Sequence, residues 1–150
     1  MIIVSGEIIR LVQEHAELDY PDECGGMLIG RFFRDGRKEI VGTFPVENAR
    51  EDSRHNRVLI LPGDVLRAER YARERKLDVV GYYHSHPDHS AVPSQYDLDH
   101  ALPVWSYVIV SVLKGKAADV RSWYMENDRS RFNEEEIIAD DEGKGTNALI

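Results

Sequence analysis

The sequence contains a single cysteine, Cys24, among its 150 residues, and it has no long hydrophobic run. One cysteine can form neither an internal disulfide nor a CxxC metal knuckle, which argues against a disulfide-stapled secreted domain. No apolar stretch approaches the roughly 20 residues that a membrane-spanning helix needs. The opening segment, MIIVSGEIIR, lacks the basic start of a signal peptide. We therefore expect a cytoplasmic protein without a membrane partner.

Basic residues are also in short supply. Lys and Arg number 19 against 27 Asp and Glu, which gives a formal net charge of −8. A general nucleic-acid binder needs a basic face to neutralise phosphates, so this balance argues against nucleic acid as a partner. The arginine-rich segment 67–76 is interleaved with Glu69 and Glu74, a pattern typical of a solvated helix face.

The length corresponds to about one domain, and hydrophobic residues at 42% are enough for one core. Apolar residues at helical spacing predict a helix from Ser5, the N-cap, to Asp19, with Pro21 barring continuation. A second helix is predicted over 62–76, where Pro62 stands near the first turn. We expect one domain over 1–139, followed by an acidic, disordered tail over 140–150.

Outside the helices, apolar runs bounded by turn residues predict strands. The predicted strands cover 24–33, 38–46, 58–61, 78–83, 105–113 and 120–125, with a last short element over 132–138. Residues 47–57 and 84–93 are polar or irregular and predict loops, and Ser94 opens a short helical turn. The predicted fold class is α/β or α+β with a mixed sheet and two long helices.

Three histidines occur within six residues after the predicted strand 78–83, and two of them, His84 and His86, are two positions apart. In an extended chain, residues i and i+2 project to the same face, so two imidazoles can converge on one cation. Asp97 follows in a short turn that could fold back over the strand end. Two histidines and one carboxylate leave the fourth position of a tetrahedral zinc open, as in catalytic sites.

Two zinc signatures compete for these residues. The stretch HSHPDH, from His84 to His89, matches the HxHxDH pattern of metallo-β-lactamase-like hydrolases. That fold needs more distant ligands and a longer chain, and no histidine follows His100, so we reject it. A structural zinc closed by a fourth protein ligand is a further alternative, and His89 is the nearby candidate for that ligand.

The second signature is His84-x-His86-Pro87, six residues, then Ser94-x-x-Asp97, with an acid upstream at Glu23. In this pattern the sequence resembles the JAMM or MPN-positive (JAB) zinc metallopeptidases, and most closely their small single-domain prokaryotic members. The resemblance extends over PDECGGMLIG, DVVGYYHSHP, PSQYDLDHA and YVIVSV. It implies a cytidine-deaminase-like MPN fold, in which two long helices flank a mixed, mostly antiparallel curved sheet.

The resemblance also implies a role for each residue of the motif. His84, His86 and Asp97 would hold one zinc ion per chain, which would activate a water molecule. Glu23 would be the general base, and Ser94 would donate a hydrogen bond to the oxyanion of the tetrahedral intermediate. Taken one at a time, these residues also have purely structural interpretations. Ser94 and Asp97, for example, form S-x-x-D, which is a helix-capping pattern.

The substrate is implied by the resemblance alone. It would be a peptide or isopeptide bond after the Gly-Gly end of a ubiquitin-like protein, in small prokaryotic members a sulfur-carrier protein of β-grasp fold. Gly25 and Gly26, beside the base, would permit close approach of substrate or backbone. A non-catalytic MPN-type interaction scaffold with a structural metal is the alternative function. Whether the chain forms a homodimer stays open.

Overall fold

The computed structural model of the protein describes residues 1–48 and 61–139. In these ranges the chain forms one eight-stranded sheet and three helices. In chain order the elements are β1 (Ile2–Val4), α1 (Gly6–Asp19), β2 (Gly25–Phe32), β3 (Lys38–Val46), α2 (Pro62–Glu74), β4 (Asp78–Pro87), α3 (Gln95–His100), β5 (Ser106–Leu113), β6 (Lys116–Met125), β7 (Phe132–Glu135) and β8 (Ile137–Ala139).

The two long helices form where the apolar spacing predicts them. Ser5 is the N-cap of α1, and its Oγ accepts a hydrogen bond from the backbone N–H of Ile8 at 3.2 Å. At the start of α2, the carboxylate of Asp64 accepts the backbone N–H of Leu61 at 3.0 Å. Leu61 is the extended N-cap of α2. Three predicted segments lie wholly or mostly outside the described residues. They are the loop 47–57, the strand 58–61 and the tail 140–150.

The strands lie in the order β7-β6-β5-β4-β2-β3-β1-β8. Four neighbouring pairs are antiparallel, and three are parallel, namely β1 with β3, β1 with β8 and β4 with β5. The sheet is therefore mixed and mostly antiparallel, which confirms the predicted class.

The sheet curves until its two ends meet. β7 ends at Glu135 and β8 begins at Ile137, yet these strands stand at opposite ends of the strand order. Only Glu136 separates them in the chain, so the two ends of the sheet meet there; its carbonyl accepts the backbone N–H of Ile2 in β1 at 2.9 Å. The single element predicted over 132–138 is two strands, β7 and β8. The sequence did not predict β1, because β1 and β8 pair with each other from opposite ends of the described chain.

Alternating side chains of the sheet supply two apolar layers. Leu28 and Val80 pack with α1 on one face of the sheet. Met27 and Val79, one position away from them, pack with the buried Ala68 of α2 on the other face. The helices thus flank the sheet as expected. No helix of the described ranges has the length and apolar character to cross a bilayer.

β4 runs further than predicted. The strand was expected to end at Tyr83, with an irregular segment from His84, but it continues to Pro87. Parallel pairing with β5 carries it on, since His84 lies opposite Ile109 and His86 opposite Ser111. This extension matters for the site, because it places both histidines within regular, buried strand rather than in a loop.

Candidate active site

The end of β4 holds His84 and His86 on the same face of the strand, and both side chains are buried. Ser85, between them, points to the other face, where its Oγ accepts the backbone N–H of Cys24 at 2.8 Å. This bond ties the end of β4 to the segment that precedes β2. The strand geometry that the i, i+2 spacing predicts is therefore present.

Asp97 reaches these imidazoles from the first turn of α3. Its Oδ1 lies 3.1 Å from His84 Nε2, and its Oδ2 lies 3.3 Å from His86 Nε2. A capping box holds the carboxylate in place. The Ser94 backbone N–H donates to Asp97 Oδ2 at 2.8 Å, and the Asp97 N–H donates to Ser94 Oγ at 3.2 Å.

The three side chains lie close enough together to share one cation. The Nε2 atoms of His84 and His86 lie 3.2 Å apart, and a different carboxylate oxygen of Asp97 faces each of them, at 3.1 and 3.3 Å. Around a tetrahedral zinc with bonds of about 2.0–2.1 Å, two ligand atoms are about 3.3–3.4 Å apart. In the part of the chain that the structure describes, His84, His86 and Asp97 are the group that could hold a metal ion.

A backbone contact also orients one of the imidazoles. His86 Nδ1 lies 2.8 Å from the carbonyl oxygen of Ser90, which can only accept a hydrogen bond. Nδ1 therefore carries a proton, and Nε2 faces Asp97 and His84. The Nδ1 of His84 is buried and has no hydrogen-bond partner among the described residues.

The electrostatics of the group favour positive charge. Burial alone would lower the pKa of His84, but the Asp97 carboxylate beside it outweighs burial and raises the pKa. Burial would conversely raise the pKa of Asp97, but the His84 charge and hydrogen bonds hold it well below its usual range. A divalent cation bound between these side chains would also supply the positive charge that the Asp97 carboxylate favours. The donor set therefore fits zinc in charge as well as in spacing.

Glu23 lies in the same cavity as two members of this group. It precedes β2, is buried, and its backbone carbonyl accepts a hydrogen bond from Asn48 Nδ2 at 3.1 Å. The cavity has a volume of about 420 Å³ and is lined in part by Glu23, His84 and Asp97. The structure thus brings together the predicted base and the predicted metal ligands from three separate elements.

Ser94 is close to the group but is turned differently. Its side chain is exposed and lines a neighbouring cavity of about 250 Å³ together with Val92 and Trp123, not the cavity that contains Glu23. Its Oγ accepts the Asp97 N–H, which leaves the hydroxyl proton available for donation. The oxyanion role of Ser94 stays a prediction.

Two further histidines, His89 and His100, lie outside the described metal-ligand group. His89 is exposed and does not join this group. It therefore gives no support to a structural zinc site with four protein ligands. His100 is exposed, stacks on Tyr96 with ring centroids 4.1 Å apart, and lines the 420 Å³ cavity.

The residues beside Glu23 have structural roles. A Cβ on Gly26 would lie 2.4 Å from Cε1 of Tyr83, so this glycine makes room for a tyrosine ring. The expected close approach at Gly26 is therefore made by the protein's own side chain within the sheet. Cys24 is fully buried, and burial raises the pKa of its thiol to about 12, which agrees with a small core residue.

The aromatic wall of the cavity was missed in the sequence. The motifs in the sequence assign no role to Trp105, Tyr82 or Tyr107. All three line the cavity that contains Glu23. The alternation of Tyr82 with the buried Tyr83 was a possible signal, but only the pairing of β4 with β5 brings Tyr107 beside it.

Comparison with known proteins gives relatives of similar sequence or fold. The chain is 27% identical over 124 residues to the CysO-cysteine peptidase of Mycobacterium tuberculosis, with 82% of each protein covered. A solution structure of a Salinibacter ruber protein is 34% identical, with a TM-score of 0.72 and coverage of 95% of this chain and 94% of that one.

Two further structures support the fold. A Desulfitobacterium hafniense protein is 28% identical, with a TM-score of 0.81 and coverage of 95% and 94%. A JAB1/MPN domain protein from Archaeoglobus fulgidus is 19% identical, with a TM-score of 0.54 and coverage of 92% and 99%. A family model described as prokaryotic homologues of the JAB domain matches residues 6–126. The chain therefore belongs to the family of prokaryotic JAB-domain proteins.

Proposed function

We propose that this protein is a zinc-dependent peptidase that cleaves after the Gly-Gly end of a sulfur-carrier or other ubiquitin-like protein. The observation that carries the proposal is the convergence of His84, His86 and Asp97, two of which, His84 and Asp97, line one cavity with Glu23. A cation site next to a buried carboxylate has the two parts that hydrolysis of an amide bond requires, an electrophile and a base.

In the proposed mechanism, His84 and His86 would hold the metal through Nε2 and Asp97 through its carboxylate. A bound zinc supplies a Lewis acid that polarises a carbonyl and lowers the pKa of water. Glu23 takes a proton from the attacking water and returns it to the leaving amine. Ser94 donates its hydroxyl hydrogen to the oxyanion, which requires that its side chain turn from the neighbouring cavity toward the substrate.

The name of the mycobacterial relative supports the substrate class, since it describes a peptidase acting between CysO and cysteine. For this chain we propose a sulfur-carrier protein extended at its C-terminus, from which cleavage would free the Gly-Gly end. The cytoplasmic location predicted from the sequence is part of the same proposal.

The test uses the zinc-loaded protein and a sulfur carrier of β-grasp fold whose Gly-Gly end is extended by cysteine. Mass spectrometry should show cleavage after the second glycine. Glu23→Gln should keep the zinc and lose nearly all activity, whereas Asp22→Asn, a neighbouring carboxylate, should cleave at close to the wild-type rate. Wild-type cleavage by Glu23→Gln would refute the mechanism. Bound zinc without cleavage of any extended carrier would favour the non-catalytic scaffold.

A further inference from the structure

An apolar recess extends away from the candidate metal site, between α2 and the segment that joins α3 to β5. Its polar end is formed by Glu23, His84 and Asp97, which belong to the cavity of about 420 Å³. Its remaining walls are largely apolar or aromatic side chains from four parts of the chain: Met27, Val65, Tyr82, Leu102, Trp105 and Tyr107.

The aromatic wall is held by its own contacts. Tyr82 meets Tyr107 edge to face, with ring centroids 6.0 Å apart at 72°, and Trp105 lies 6.5 Å from Tyr107. The Tyr107 hydroxyl accepts the backbone N–H of Leu102 at 2.7 Å. Tyr82 also stacks on His84 at 5.4 Å, so the wall continues directly into a predicted metal ligand. The recess is thus preformed by packed rings.

A Gly-Gly end leaves this recess unfilled, because glycine has no side chain. The recess borders the proposed base, Glu23, and two proposed ligands, His84 and Asp97. A group that fills it must therefore be attached very near the scissile bond. Since the acyl side contributes only glycines there, the filling group comes from the residue on the leaving side.

The chemistry of the walls defines that residue. Apolar and aromatic surface favours an apolar side chain, and removing a carboxylate from water into it is costly. A cysteine side chain, with one methylene and one sulfur, would fill only a small part of about 420 Å³.

We infer that the recess is a specificity pocket for a large apolar or aromatic residue on the leaving side of the scissile bond. This inference rests on the proposed peptidase function and specifies its substrate as Gly-Gly-X, where X is a residue such as phenylalanine or leucine. Trp105 and Val65 are then specificity-determining residues, since both line the pocket and come from different parts of the chain.

The first measurement is kcat/KM for sulfur-carrier fusions that end in Gly-Gly-X, with X as phenylalanine, leucine, cysteine or aspartate. The kcat/KM of the phenylalanine and leucine fusions should exceed that of the aspartate fusion by at least about tenfold, and should also exceed that of the cysteine fusion. Side-chain discrimination in an apolar pocket supplies differences of this size. Equal rates for phenylalanine and aspartate, or a clear preference for cysteine, would overturn the inference.

The second measurement does not depend on turnover. Calorimetric titration of the zinc-loaded Glu23→Gln variant should give a Kd about tenfold lower for the phenylalanine fusion than for the aspartate fusion. If binding discriminates but no fusion is cleaved by the wild type, the pocket is supported and the peptidase proposal fails. If all fusions are cleaved and bound alike, the peptidase stands and the pocket assignment fails.

Two adjacent residues of α2 provide a matched pair of variants. Val65 lines the recess, whereas Leu66 is 63% exposed and does not. Val65→Lys should raise cleavage of the aspartate fusion relative to phenylalanine by about tenfold, and Leu66→Lys should leave the ratio unchanged. If Val65→Lys does not fold, Trp105→Ala should reduce the preference for phenylalanine by about tenfold. An unchanged preference in the folded variant would contradict the assignment.

Discussion

The carboxylate of Asp97 contacts His84 and Ser94 at once: Oδ1 lies 3.1 Å from His84 Nε2, and Oδ2 accepts the Ser94 backbone N–H at 2.8 Å. Asp97, the third residue of α3 and a member of its capping box, is therefore also the residue that reaches the imidazoles. Because Ser94 donates through its backbone, the orientation of Asp97 does not require the Ser94 side chain. The capping and catalytic readings of Ser94 can thus be separated by experiment.

Ser94→Ala is expected to retain about one zinc per chain and to lower kcat about 10²–10³-fold, the usual effect of removing an oxyanion donor. The lost cap should reduce the free energy of unfolding by about 1 kcal/mol. Metal analysis, steady-state cleavage and denaturant unfolding measure these three effects. Ser94→Thr, which restores a hydroxyl, should recover most of the activity. Full activity of Ser94→Ala would leave Ser94 with the capping role alone.

Zinc binding should depend on the three converging side chains. His84→Ala and Asp97→Ala are expected to fall well below one zinc per chain, whereas His89→Ala, a nearby exposed histidine, should remain fully loaded. Chelation should lower the Tm of the wild type, since an ion at 100 times its Kd stabilises the folded state by about 2.7 kcal/mol. Loss of zinc in His89→Ala would contradict this ligand set.

Gly81 should be intolerant of any side chain. It lies in β4 opposite Ser106, and a Cβ there would be 2.2 Å from the Ser106 carbonyl oxygen. Since backbone must move to relieve this contact, we expect Gly81→Ala to lower the free energy of unfolding by about 1–3 kcal/mol or more. At Gly42 a Cβ meets only Ile29 Cβ at 4.0 Å, so Gly42→Ala serves as the control and should be neutral or slightly stabilising. Equal unfolding midpoints would refute the argument.

Glu135 should make stability sensitive to acid. Burial would raise its pKa, but the hydrogen bond from the Met1 ammonium at 2.8 Å and the charge of Lys38 bring the pKa below the ordinary 4.5. A carboxyl group whose pKa is lower in the folded state stabilises the fold above about pH 4.5, and this contribution is lost as the pH falls through the lowered pKa.

Glu135→Gln should therefore destabilise the protein by about 1–3 kcal/mol at pH 7, and the difference from wild type should shrink toward pH 3. Urea unfolding at several pH values provides the measurement. The neighbouring Glu134, whose side chain is 49% exposed, is the matched control, and Glu134→Gln should change little. A gap for Glu135→Gln that widens in acid would show the sign to be wrong.

Much of the local structure could be predicted from short stretches of the chain. The Ser5 cap, α1 and the i, i+2 placement of His84 and His86 depend on residues within a few positions of one another. Periodicity, capping and ligand spacing are local properties, so they can be recognised in one sequence. The motif around Asp97 also indicated the family before the fold was known.

Other features depend on contacts between distant residues, and only the tertiary structure decided them. The pairing of β1 with β8, the continuation of β4 through His86, and the turn of Ser94 toward a second cavity have no local signal. The aromatic recess arises because parallel pairing sets Tyr82 beside Tyr107. The sequence by itself determined which groups are candidates for the chemistry, since that is a matter of residue type and spacing. The packing of the sheet decided the cavity that surrounds them, because its walls come from segments that meet only in the folded chain.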